Sequence, residues 1–82
     1  MGNSPKQPKL KNETLLRLGR AIGEIRRERK ISQEQLALEA ELNRTYMNRL
    51  ETGKTNVSIL SLQKLTKVLQ VSMAEVLFKA KI

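Results

Sequence analysis

The 82-residue chain predicts an all-α domain of five short helices, and three observations carry that prediction. Apolar residues recur at three- and four-residue spacing, and no stretch alternates as a half-buried strand would. Four Ser or Asn residues stand just before such stretches, each bracketed by an apolar pair at the spacing of a hydrophobic staple. The helices marked in this way leave only short connections, which suits a compact orthogonal bundle and not a long coiled coil.

Residues 1–11 hold Gly2, Pro5, Pro8, Lys6, Lys9 and Lys11, with only Leu10 strongly apolar beyond Met1. Such a composition cannot repay the entropy of ordering, so a flexible basic arm is expected there, with the folded domain over 12–82. The first helix is expected over 13–30, where Leu15, Leu18, Ile22 and Ile25 share a face. Gly19 and Gly23 each weaken that helix by about 1 kcal/mol relative to alanine, so close packing is their expected reason.

The second helix, over 33–40, starts at Ser32 with Gln35 at the capping-box distance and Ile31 with Leu36 as staple. Asn43 caps the third, over 44–52, with Leu42 and Met47 as its staple, and Gly53 suits a left-handed stop after it. Ser58, with Val57 and Leu62, opens the fourth over 59–69; Leu62, Leu65 and Leu69 point inward, with Ile59 and Val68 nearby. Ser72 and Glu75 form a second capping box, with Val71 and Val76 as staple, opening the fifth helix over 73–79.

Composition narrows the function. There are 16 Lys and Arg against 8 Asp and Glu, a formal net charge of +8, which favours a polyanionic partner. The charge is unevenly spread: residues 1–30 hold nine basic and three acidic side chains, whereas 31–42 hold three acidic and none basic. Cysteine and histidine are both absent, so no disulfide, metal site or cofactor is expected, and no mechanism for an enzyme suggests itself. Glu34, Glu39 and Glu41 read as a solvated acidic face. No apolar run approaches a membrane span or a signal peptide, so a cytoplasmic protein without membrane or small-molecule partners is expected. A chain of this size buries only about 60% of its extended surface, so a homodimer is the expected staple. Val76, Leu77 and Phe78 cannot all face one small core, and together they form the expected dimer surface, Phe78 foremost.

The function-bearing pattern lies between Gln33 and Leu50. Leu36, Ala37 and Ala40 make one inner face and Met47 with Leu50 another, joined by a three-residue turn, and Ala37 is small enough for a steep crossing. That leaves Arg44, Thr45, Asn48, Arg49 and Thr52 on the outer face of the third helix. These are donors and methyl-bearing side chains suited to base edges in the major groove of double-stranded DNA.

The runs Gln33-Glu34-Gln35-Leu36-Ala37-Leu38-Glu39-Ala40, Leu42-Asn43-Arg44-Thr45-Tyr46 and Arg49-Leu50-Glu51-Thr52-Gly53-Lys54 resemble the Cro/phage-repressor (XRE-type) helix-turn-helix family over residues 15–78. The start Asn43-Arg44-Thr45-Tyr46 and the run Asn56-Val57-Ser58 look most like controller proteins of restriction–modification systems. The resemblance implies a lambda-repressor-like fold and a dimeric transcription regulator on a near-palindromic operator. It implies base reading by Arg44, Thr45 and Arg49 with Asn48 assisting, and phosphate contacts by Gln33, Asn43, Tyr46, Lys54, Thr55 and Asn56. Arg26 and Glu51 match a salt bridge between the first and third helices. One departure stands out: the family often has glycine in the turn where this chain has Glu41, so a strained left-handed residue is expected there. The alternative reading is an antitoxin-type protein-binding module that binds DNA secondarily.

Overall fold

Among the described residues, five helices follow one another in the expected order: α1 Glu13–Glu28, α2 Gln33–Glu39, α3 Arg44–Glu51, α4 Ile59–Leu69 and α5 Met73–Ala80. The computed structural model describes residues 12–82, and the arm expected over 1–11 lies outside the described residues. No strand occurs among the described residues.

Every helix starts on a side-chain cap. Asn12, Ser32, Asn43, Ser58 and Ser72 accept hydrogen bonds from backbone N–H groups two or three residues on, which satisfies donors the helix cannot. Ser72 and Glu75 complete both halves of a capping box. Ser32 forms only one half of its own, because Gln35 turns instead to Glu39, one helical turn on, where the acceptor is charged. Ile31, Leu42, Val57 and Val71, each just before a cap, are half-buried against the core, and their staple partners Leu36, Met47, Leu62 and Val76 are buried.

The helix ends share one closure. Lys30, Glu41, Gly53, Gln70 and Lys81 follow α1 to α5 in turn, all with positive φ between 57° and 73°. At the helix-turn-helix corner Glu41 N–H donates to the Leu38 carbonyl at 3.1 Å and Leu42 N–H to the Ala37 carbonyl at 2.8 Å, the Schellman pattern. Four of these five left-handed residues carry side chains, at roughly 1 kcal/mol each. Glu41 thus keeps the turn geometry that glycine would give, and bears the strain.

The core draws on all five helices: Ile22, Leu36, Met47, Leu50, Leu65, Leu69 and Val76 are its largest fully buried side chains. α1 lies at the centre, against α3 and α5. A Cβ on Gly19 would fall 2.3 Å from the Leu50 carbonyl oxygen, so α1 and α3 meet backbone to backbone and only glycine fits.

Two expectations are corrected. Ile59 does not join the inner face of α4; it is 67% exposed, because the first residues of that helix stand outside the core. Val76 does not belong to a surface for a second copy, since it is wholly buried in the protein's own core. Helix residues two apart differ by about 200° in direction. Val76 and Ala80 therefore face inward, Leu77 is half-buried, and Phe78 points out with 86% of its surface exposed.

Candidate nucleic-acid interface

The seven-residue α2 and eight-residue α3 are joined by Ala40–Asn43, and Ala37 is buried where the two helices pack. Met47 and Leu50 fix the inner face of α3. Arg44, Thr45, Asn48 and Arg49 all lie on the opposite side, exposed, as their spacing predicts. Arg44 approaches Glu34 at 3.9 Å, but both side chains are well solvated and such a pair contributes little.

An ion pair sets the pose of α3 against α1. Arg26 Nε donates to Glu51 Oε2 at 2.7 Å and its Nη2 to Oε1 at 3.1 Å, while Nη1 reaches the Ile31 carbonyl at 2.9 Å. The side chains are only 13% and 8% exposed. Paired and hydrogen-bonded in this way, the charges are satisfied; either one alone would not be.

The expected phosphate contacts fall into two groups. Gln33, half-buried at the start of α2, donates from Nε2 to Glu51 Oε1 at 3.1 Å and accepts from Asn48 Nδ2 at 3.4 Å. Asn43, Tyr46 and Asn56 line one open groove with Leu42 and Val57. Asn43 Oδ1 is taken by the α3 cap, accepting from Thr45 N–H at 2.7 Å and Tyr46 N–H at 3.1 Å, which leaves its amide nitrogen as the outward donor. Tyr46 is half-buried and its hydroxyl donates to the Asn56 carbonyl at 3.3 Å, tying α3 to the loop after it. Lys54 and Asn56 of that loop are exposed and Thr55 is half-buried. The left-handed Gly53 starts the loop: its N–H donates to the Leu50 carbonyl, and Lys54 N–H to the Arg49 carbonyl.

Sequence reading missed the bonds that join Gln33 to Glu51 and to Asn48. The residues are 18 and 15 positions apart, and only the crossing of α2 over α3 brings them together. No local spacing announces such contacts. Among the described residues, no helix is long and apolar enough to cross a membrane.

A helix-turn-helix family profile matches residues 22–76, which spans the site and most of the core. The control protein C.MunI of a Mycoplasma species is 35% identical over 65 residues, covering 78% of this chain and 88% of the relative. The control protein C.BamHI of Bacillus amyloliquefaciens is 37% identical over 67 residues, covering 80% and 83%. Among solved structures, the restriction–modification controller protein C.AhdI of Aeromonas hydrophila superimposes with a TM-score of 0.77 at 32% identity, over 79% of this chain and 98% of that one. With its polar α3 face open to solvent on the same framework, this chain belongs to the XRE-type helix-turn-helix family of DNA-binding transcription regulators, which are not enzymes.

Proposed function

We propose that the protein is a dimeric, sequence-specific transcription regulator of the restriction–modification controller kind, acting in the cytoplasm on a near-palindromic operator. The carrying observation is the two-sidedness of α3: its inner face is locked by Met47, Leu50 and the Arg26–Glu51 pair, while Arg44, Thr45, Asn48 and Arg49 stand free on the other. Arginine grips guanine O6 and N7 with two hydrogen bonds, and threonine offers its methyl to thymine. Gln33, Asn43, Lys54, Thr55 and Asn56 flank that face with donors for phosphates, which position the helix without reading sequence, and Tyr46, its hydroxyl hydrogen given to the Asn56 carbonyl, braces the loop beside them.

One α3 spans only part of a groove turn, and two-fold pairing is what gives reach. Phe78, bare on α5, is the strongest apolar anchor for a second copy. A two-fold dimer would hold two recognition helices about 34 Å apart, one turn of duplex. Selection of bound duplexes from a random pool, at a fixed salt concentration, tests the reading. Two inverted half-sites with centres about 10 base pairs apart are expected. Recovery of no motif, or of an unpaired one, contradicts it.

A further inference from the structure

A chain of hydrogen bonds runs from the buried ion pair out to the exposed face of α3, and its polarity is fixed at one end. The ionised Glu51 carboxylate can only accept, and it already accepts twice from Arg26. Gln33 must therefore turn its amide nitrogen toward Glu51 Oε1, where it sits at 3.1 Å. The Gln33 amide oxygen is left to face Asn48. An oxygen there can only accept, so Asn48 must present its own amide nitrogen, at 3.4 Å. Neither amide is free to flip, because each flip would set oxygen against oxygen or leave a donor facing a donor.

Asn48 is exposed, and one N–H of its amide is engaged by Gln33. What remains on the outer edge is the carbonyl oxygen beside the second N–H, an acceptor and a donor in fixed order. Adenine shows the complement in the major groove, the N6 amino donor beside the N7 acceptor; guanine shows two acceptors, thymine an acceptor and a methyl, cytosine a lone donor. A freely turning asparagine could adjust to several of these patterns, whereas one held from behind discriminates.

We propose that Gln33 is a positioning residue that holds Asn48 in the amide orientation that reads adenine, so that the base pair facing Asn48 in each half-site carries adenine. The inference rests on the regulator reading above and assigns one base of its operator.

Duplex selection run in parallel on the full chain and on the Asn48→Ala and Gln33→Met variants tests it. The unsubstituted protein is expected to prefer adenine at one position per half-site by about tenfold. Asn48→Ala should abolish that preference. Gln33→Met, although its side chain need touch no base, should cut it to about twofold while the positions read by Arg44 and Arg49 keep theirs. A Gln33 that only contacts phosphate would lower affinity evenly and leave the adenine in place, which overturns the proposal. So does an adenine that survives Asn48→Ala, or a different base at that position. Thermal melts of both variants establish that they fold; Asn48 is exposed, so Asn48→Ala decides the base assignment, and should Gln33→Met melt early, Gln33→Ala decides the positioning role, an adenine preference kept near tenfold overturning it. A protein that enriches no motif sinks the regulator reading itself, an outcome distinct from a motif lacking the adenine.

Discussion

α3 and α5 are both eight residues long, and each buries two side chains: Met47 and Leu50 in one, Val76 and Ala80 in the other. Their inward faces are alike; their outward faces differ by one large apolar side chain. α3 shows water two arginines, a threonine and an asparagine, and is tied to α1 by a buried ion pair at its end. α5 shows water Ala74, Glu75, Phe78 and Lys79, of which Phe78, at 86% exposure, is the large apolar one. Packing decides which face a short helix leaves open, and the chemistry of that face decides what it can meet, which is why base reading is proposed for one and contact with a second copy for the other.

Glu51→Ala should be the most damaging change, costing about 3–5 kcal/mol in denaturant unfolding, since it strands the Arg26 guanidinium in a largely buried position. A loss below about 1 kcal/mol would mean that the α3 pose does not depend on the pair. Within α5, Val76→Ala should lower stability by roughly 2 kcal/mol through a cavity in the core. Phe78→Glu should leave the unfolding of the monomer within about 0.5 kcal/mol while sedimentation shifts from dimer to monomer. If the two variants exchanged effects, the assignment of inner and outer faces on α5 would be wrong.

On α3 the expected changes fall on binding and not on stability. Arg44→Ala and Arg49→Ala should each weaken binding to the selected duplex by about 1–3 kcal/mol and relax one base position per half-site, with the melting curve unmoved. An equal loss on unrelated DNA would place both arginines on phosphates. One change should bring a gain: Glu41→Gly should stabilise the fold by about 1 kcal/mol, since glycine adopts a φ of 57° without steric strain. No gain would show that the Glu41 side chain makes up for the strain elsewhere.

Both ends of every helix were legible in the sequence to within two residues, but the left-handed closure of most of them was not. Ser and Asn caps advertise themselves because a short side-chain oxygen is what an orphan N–H needs. The left-handed closures rest on Lys30, Glu41, Gln70 and Lys81 as well as on Gly53, and nothing in a lysine or glutamine signals positive φ. The departure at Glu41 was visible only because the family resemblance pointed to that position. The burial of Val76 was legible after all: its staple with Val71 placed it inward, and grouping it with Leu77 and Phe78 ignored that local signal. The four residues on the outer face of α3 followed from helical spacing alone. The Gln33–Asn48 link did not, since it depends on how two helices cross.

Sequence-specific regulation requires that the free face of α3 distinguish one duplex from another. Fluorescence anisotropy at fixed salt, comparing the selected duplex with one of the same composition in permuted order, asks this directly. The protein should bind the selected duplex at least about a thousandfold more tightly, and Arg49→Ala should shrink that ratio severalfold. Equal affinity for both duplexes would mean that charge alone holds the protein to DNA and that α3 reads nothing.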